Sequence, residues 1–346
     1  MSIPSVSIIV PNYNHAPYLR QRLDSIFNQT FQDFEVIILD DCSTDNSKEI
    51  IEEYRDRPQV SHIVYNETNS GSPFKQWSKG FDLAQGEYIW IAESDDWAEL
   101  NFLENIIPFL NSDSQIVLAF SASNWVYSDH IEKVFLRSHN FLMNGTDFIK
   151  SRMICGNSIH NASAVVFRKD KVKFISDNYT KFKGSGDYLF WVNLCETGKA
   201  LYIATCLNNF RKHNENTTKK SNSSGNVYKE DYAIFNYLNK KGYISTLGKK
   251  CVISFYLAKI KHSSNQCNRK EFINLWKKES KNLFFYQSFC FLIGLFIRPL
   301  SQNLKEVIEK KMPWSYYYNN YSTLELIWNM LHLPNTNFKR IYFKNK

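Results

Sequence analysis

Apolar and polar positions come in alternating blocks along the first third of the chain. Ser5–Val10 is a short run rich in β-branched residues, the pattern of a buried strand. Leu19, Leu23, Ile26 and Phe27 then recur at helical spacing and predict an amphipathic helix over residues 17–28. FEVIILDD reads as a second strand. In CSTDNSKEIIEEYRD, polar capping residues precede Ile50, Ile51 and Tyr54 at helical spacing, which predicts a second helix. VSHIVYN is a third strand, and SPFKQWSKGFDLAQG a third helix with Gly86 as its C-terminal stop. EYIWIAESDD is the fourth strand.

Strand–helix repeats with nearly continuous apolar strands predict a mostly parallel sheet covered on both faces. In such sheets ligands bind beyond the carboxyl ends of the strands. That rule places PNYN, DDCS and ESDD, the polar tails of strands one, two and four, along one edge. Further on, IVLAFSASNWVY and ASAVVFRK read as strands, and DYLFWVNLCETG as a helix ended at Gly198. HNENTTKKSNSSGN, residues 213–226, has no apolar side chain before Val227 and reads as a mobile loop and domain boundary. Helical patterns dominate beyond it: VYKEDYAIFNYLNKKG, CVISFYLAKIKH, EFINLWKKESKNLFFY and a last one near YSTLELIWNMLHL. The expected division is therefore a catalytic α/β domain over 1–215 and a mainly helical, basic and aromatic region over 216–346.

Composition adds three constraints. With 346 residues and 43% hydrophobic content, the chain can bury a large core. Lys and Arg outnumber Asp and Glu, 42 to 34, which favours anionic partners without choosing among phosphorylated substrates, nucleic acid and an anionic membrane. The basic excess gathers in the C-terminal part, from NKKGYISTLGKKCVISFYLAKIKH to NFKRIYFKNK, and suggests a membrane-facing or nucleic-acid-facing surface or an ordinary solvated one. The cysteines, at 42, 155, 195, 206, 251, 267 and 290, are odd in number and form no C-x-x-C pair. They read as reduced thiols of a cytosolic protein, and no Cys/His spacing matches a zinc site. MSIPSVSIIVPNYN lacks the basic start and the long apolar stretch of a signal peptide. Residues 282–300, NLFFYQSFCFLIGLFIRPL, are interrupted by Gln287, Ser288 and Gly294, and read as a core or interfacial helix rather than a span.

Three acidic groups carry candidate chemistry. Asp40 and Asp41 end strand two, where a carboxylate can cap a turn or accept hydrogen bonds from a nucleotide base or ribose. Asp45 and Ser43 already supply caps there. Glu93, Asp95 and Asp96 end strand four. One Asp suffices to start the helix that follows, and clustered carboxylates raise one another's pKa unless a cation sits among them, so a divalent ion is the better reading. Asp187, in GSGDYLFW, is either a helix cap or a general base that takes a proton from an incoming hydroxyl. Arg211 and His213, in LNNFRKH, are either an exposed pair or groups that reach a diphosphate or a metal.

These segments resemble a known family. SIIVPNYNHAPYLRQRLDSIFNQTFQDFEVIILDDCSTDNS is similar to the opening of the family 2 inverting glycosyltransferases of the GT-A fold, a Rossmann-like α/β architecture. LAQGEYIWIAESDDW is similar to that family's D-x-D metal segment, and NASAVVFRK, GSGDYLFW and LNNFRKH follow in the family's order, so that the likeness covers roughly residues 5–215. The resemblance implies that Pro11 and Tyr13 line the base pocket, that Asp41 accepts the base N–H with Asp40 in support, and that Asp95 lies near the ribose and diphosphate. It implies that Asp96 holds the metal, that Asp187 is the catalytic base, and that Arg211 and His213 close on the diphosphate, His213 as a further metal ligand. Two positions depart from the pattern: Glu93 replaces the first Asp of the metal motif, and Gly186 precedes the base where Glu is usual. The Q-x-x-R-W motif of processive synthases is absent.

The expectation is an inverting glycosyltransferase using Mn²⁺ or Mg²⁺ and a nucleotide-diphosphate sugar, taken to be a UDP-sugar. The expected acceptor is a glycan hydroxyl, lipid-linked, in surface polysaccharide assembly such as capsule or O-antigen, at the inner face of the cell membrane. The basic and aromatic C-terminal part suits peripheral contact with an anionic membrane. A non-catalytic nucleotide-sugar-binding subunit is the alternative. A dinucleotide oxidoreductase is disfavoured because PNYNHAP, and no G-x-G-x-x-G, follows strand one. A nucleic-acid binder is disfavoured because the aromatics sit in apolar helical runs.

Overall fold

The computed structural model describes residues 3–213, 225–262 and 269–277. The candidate helices within 282–300 and near YSTLELIWNMLHL, the basic C-terminal segment and most of the polar loop 213–226 lie outside the described residues.

The chain divides into two compact units. The first, residues 3–145 and 159–213 of those described, is built on one ten-stranded sheet. Its elements are β1 Val6–Asn12, α1 Ala16–Phe27, β2 Phe34–Asp40, α2 Ser47–Glu52, β3 Val60–Tyr65, α3 Pro73–Leu83, β4 Tyr88–Ile91, β5 Trp97–Ala98, α4 Phe102–Ser112, β6 Ile116–Val126, β7 Ile131–Val134 and β8 Phe141–Asn144. A one-turn helix, α5 Gly145–Phe148, precedes β9 Val165–Arg168, α6 Gly186–Cys195 and β10 Lys199–Arg211. The spatial order is β3-β2-β1-β4-β9-β6-β10-β5, with β7 on β6 and β8 on β10. The first four strands form the expected parallel run. Beyond β4 the sheet is mixed: β9 runs antiparallel to both β4 and β6, β6 and β10 are parallel, and β5 closes antiparallel on β10.

β1, β2 and β4 are buried throughout, as their unbroken apolar runs require, while β3 at the sheet edge is only partly covered. α1 and α4 cover one face. Leu19, Leu23 and Ile26 of α1, with Phe102, Leu103 and Ile106 of α4, pack on Val6, Ile8, Trp90 and Val36. On the other face, Trp77 of α3 meets Phe190 and Trp191 of α6, Phe81 stacks on Phe190, Phe74 packs edge-on to Trp77, and Phe167 of β9 joins the same group of rings. Register aligns Asn12 with Asp40, and the Ala92 N–H continues the ladder to the Ile9 carbonyl. The tails of β1, β2 and β4 therefore end side by side.

Gly86 does not terminate α3, which stops at Leu83 with Ala84 as its cap. It lies against β1 instead, and a Cβ there meets the Ser7 backbone nitrogen at 2.6 Å and the Val6 carbonyl carbon at 2.8 Å.

The second unit, described over residues 146–158 and 225–277 apart from 263–268, gathers α7 Asn226–Lys240, α8 Thr246–His262 and α9 Arg269–Lys277. Trp276 is its buried centre. It stacks on Tyr256 at 4.2 Å between ring centroids, touches Tyr232 and Phe235, and donates its indole N–H to the Tyr228 carbonyl. Among the described residues no helix is long and apolar enough to cross a membrane.

Because strand backbone cannot yield to a methyl group as a flexible side chain can, Gly86→Ala is expected to lower stability by about 2–3 kcal/mol. A urea unfolding curve checks this, and an unchanged midpoint contradicts it.

Candidate active site

The first two strand tails are locked together by side-chain hydrogen bonds. Asn14 and Cys42 both take left-handed backbone, with φ of 54° and 64°, and so turn the chain sharply after β1 and β2. Asn12 Nδ2 donates to Asp40 Oδ1 at 2.8 Å, and the Ser43 hydroxyl and N–H donate to the two Asp40 oxygens. Thr44 N–H donates to Asn14 Oδ1, and Asp45 accepts from the N–H groups of Ala16 and Ser47, at the starts of α1 and α2. Asp40 is thus spent within the junction. Asp41 faces the other way, toward the loop after β3. Its Oδ1 accepts from Asn66 Nδ2, Ser70 N–H and Gln76 Nε2, and its Oδ2 from the Ser70 hydroxyl. Pro11 is buried beside this junction, while Tyr13 is exposed at its rim.

The acidic turn after β4 sends its carboxylates in three directions. Glu93 turns sideways and accepts the Trp77 indole N–H at 2.9 Å. Burial and the neighbouring Asp95 push its pKa up to about 8. Asp96 turns inward and is 1% exposed. Its Oδ2 accepts from Asn161 Nδ2 at 2.7 Å and from the Ser163 hydroxyl at 2.8 Å, and its Oδ1 from the Arg211 N–H at 3.0 Å. Burial and the charge of Asp95 raise its pKa. Asp95 turns toward the end of β10, where its Oδ2 lies 2.9 Å from His213 Nε2. Burial opposes charge on Asp95, but His213 and His15 outweigh it, and its pKa falls below the usual carboxylate range.

The β5–β10 pairing delivers LNNFRKH to this turn. Asn208 and Asn209 pair with Ala98 and Trp97, immediately after ESDD. Arg211 then lies between the rings of Tyr18 and Trp97, 4.6 and 4.7 Å from their centroids, donates from Nε to the Asp95 carbonyl, and donates from Nη2 to Gln21. His213 packs against Tyr18 and against His15, whose Nδ1 is 2.8 Å from the Ser94 hydroxyl. His15, Asp95 and His213 each offer a ligand atom, all within 4.8 Å of one another. Two imidazoles and a carboxylate are a fitting donor set for a divalent ion. Asp96 and Glu93 are outside this group.

Asp187 begins α6. Every other residue of that helix is buried, so the half-buried Asp187 is where α6 meets solvent. Gly186 has a steric reason: a Cβ there lies 2.5 Å from the Phe74 ring and 2.6 Å from the Tyr179 carbonyl oxygen. The usual glutamate has no room at this position. Trp77 connects α6 to the acidic turn, since it packs on Phe190 and Trp191 while bonding Glu93.

Of the residues singled out in the sequence, Asp95, Arg211 and His213 come together, and Asp96 lies directly behind them. Pro11, Tyr13, Asp40 and Asp41 line the neighbouring tails of β1 and β2, and Asp187 stands on α6. Sequence reasoning missed His15, Asn161, Ser163 and Arg22. His15 follows PNYN directly, at the edge already assigned to ligands, and that position was the available signal. ASAVVFRK reads as strand throughout, but its first residues, Ala162–Ala164, form a short helical turn before β9. Its Ser163 donates to Asp96, accepts the Glu93 N–H, and receives the Trp90 indole N–H on its carbonyl.

Comparison with known proteins agrees with this fold. Residues 7–169 match the family model described as Glycosyl transferase family 2. The poly(ribitol-phosphate) beta-N-acetylglucosaminyltransferase TarS of Staphylococcus aureus is 36% identical over 114 residues, 32% of this chain and 20% of TarS. The uncharacterized glycosyltransferase MJ1057 of Methanocaldococcus jannaschii is 27% identical over 304 residues, 86% of this chain and 89% of the relative. Relatives at 36% identity share half or less of their own length with this chain. The crystal structure of S. aureus TarS 1–349 in complex with UDP-GlcNAc aligns with 94% of this chain and 90% of that one, at a TM-score of 0.55 and 17% identity, which is a likeness of fold. Residues 7–169 carry the sequence pattern of glycosyl transferase family 2, and the sheet they help to build has the GT-A fold.

Proposed function

We propose that the chain is an inverting glycosyltransferase that moves a sugar from a nucleoside-diphosphate sugar to a hydroxyl of a glycan acceptor. The observation that carries this reading is the convergence of Asp95, His213 and His15 at the carboxyl edge of a family 2 sheet. A UDP-sugar donor is favoured by the TarS structure in complex with UDP-GlcNAc. A surface polysaccharide acceptor is favoured by the poly(ribitol-phosphate) transferase among the relatives. A lipid-linked form of that acceptor at the inner membrane face, met by the basic second unit, completes the proposal.

In this reading Asp95, His213 and His15 hold the divalent ion, and the pair of imidazoles favours Mn²⁺ over Mg²⁺. Such an ion supplies positive charge against a departing diphosphate. Asp96 is a positioning residue: its oxygens are taken by Asn161, Ser163 and the Arg211 N–H, and it holds the turn from behind. Arg211 is kept rigid by two aromatic faces and places a fixed cation beside the same diphosphate. Pro11, Tyr13 and Asp41 receive the base, and Asp40 supports them by fixing the junction.

Asp187 takes the proton from the acceptor hydroxyl. The acceptor oxygen bonds to the anomeric carbon as the bond from that carbon to the diphosphate oxygen breaks. A single displacement of this kind inverts the anomeric centre, whereas retention needs an enzyme nucleophile.

Two experiments test the reading. Asp187→Asn is expected to lower kcat by about 10³-fold while donor affinity stays within about twofold, as loss of a general base does. Release of nucleoside diphosphate follows the rate, and near-full turnover removes Asp187 from the mechanism. In the second, UDP-sugars are screened by thermal shift with Mn²⁺ or with chelator. A matching donor raises the Tm of the wild type in a Mn²⁺-dependent way by mass action. Asp95→Asn is expected to keep the wild-type Tm and lose the shift. Asp96→Ala, which leaves buried donors unpaired, is expected to unfold more easily by about 2–3 kcal/mol. The opposite pattern returns the ligand role to Asp96, and no shift with any nucleotide sugar defeats the proposed donor.

A further inference from the structure

Arg22 lies on the inward side of α1 and is wholly buried. Its Nε donates to the Glu93 carbonyl at 2.9 Å. Among the described residues neither Nη1 nor Nη2 has a hydrogen-bond acceptor. The guanidinium lies 5.6 Å from the centroid of the Trp90 ring, and the charges that act on it are those of Asp96, Asp95 and Glu93, with Arg211 in opposition. Burial draws its pKa down to about 10, which leaves it charged at neutral pH.

Packing does not explain this residue. Leu19, Leu23 and Ile26 fill the core from the same helix, and an apolar side chain at position 22 serves that core without an unpaired charge. A buried cation with unanswered donors is costly, and replacing such a group by an apolar one of similar volume is often neutral or stabilising. What Arg22 offers in return is fixed positive charge behind the acidic turn.

We propose that Arg22 is a permanent counter-cation of the acidic turn, which weakens binding of the divalent ion alone and strengthens binding of a nucleoside diphosphate, so that the two are held together. The inference rests on the metal and nucleotide reading above. Asp95 and Asp96 without Arg22 form a stronger cation trap that repels a diphosphate. With Arg22 beneath them the trap is shallower, and an anion at the mouth restores the attraction for the ion. Each ligand then raises the affinity for the other, as linkage requires. Arg22 touches neither ligand and acts through the field at Asp95 and Asp96.

The test uses the full chain as wild type, Arg22→Met, Arg22→Gln and Arg22→Lys. Free Mn²⁺ is read by electron paramagnetic resonance, and UDP, GDP and dTDP are titrated by calorimetry with and without Mn²⁺. Arg22→Met is expected to bind Mn²⁺ alone roughly five- to tenfold more tightly and the metal-free nucleotide more weakly by a similar factor. Arg22→Lys keeps both affinities within about twofold, because it keeps the charge. Arg22→Gln retains a donor for the Glu93 carbonyl without the charge, and carries the same expectation where the Met variant does not fold. A merely structural role weakens both ligands together, and that result, or unchanged Mn²⁺ affinity in both neutral variants, overturns the inference. A wild type that binds Mn²⁺ and nucleotide leaves the metal and nucleotide reading intact in that event, whereas one that binds neither overturns both.

Discussion

Carboxylates crowded at the end of a buried strand repel one another, and the arrangement after β4 holds because each is given a different partner. Glu93 has the Trp77 indole, Asp96 has Asn161, Ser163 and a backbone N–H of β10, and Asp95 has His213. Arg22 answers all three from below. Much of the surrounding architecture follows from this distribution. β9 enters between β4 and β6, and the short helical turn before it carries Asn161 and Ser163 to the back of the turn. β5 and β10 pair so that Arg211 and His213 reach its front. α3 and α6 pack around Trp77 so that its indole reaches the side.

The parallel half of the fold was legible in the sequence because its signals are local. A β-branched run, a helical face and a polar tail each lie within about a dozen residues, and the carboxyl-edge rule then places PNYN, DDCS and ESDD together. The mixed half was not legible, because strand direction there depends on pairings far apart in sequence. Nothing in ASAVVFRK states that it runs antiparallel between β4 and β6. α2 is also shorter than its pattern: it starts at Ser47 after the expected polar caps but ends at Glu52, and Tyr54 of the expected helical face lies in the turn that follows.

The site was legible in its composition and less so in its orientations. Adjacent residues in a turn point apart, so a count of carboxylates does not tell which one takes which partner. Asp95 and Asp96 differ by one position, and their surroundings separate them: one meets two histidines and the other a buried amide and hydroxyl. His15 and Ser163 were missed for a related reason. Each acts through a neighbour from another strand, and only the folded sheet supplies that neighbour. Arg22 shows the converse, a charged residue on an apolar helical face that periodicity alone treats as an interruption.

α6 has a consequence for how such a protein diverges. Nine of its ten residues are enclosed, and Gly186 is pinned by a ring and a carbonyl. Substitutions along this helix disturb packing before they alter what Asp187 meets, so the helix is closed to gradual drift. Variation is therefore confined to the loops around Asp187, while its carboxylate keeps its place. A chain of this fold can change those loops freely and still hold Asp187 at the same point, because the nine enclosed residues fix the helix that carries it.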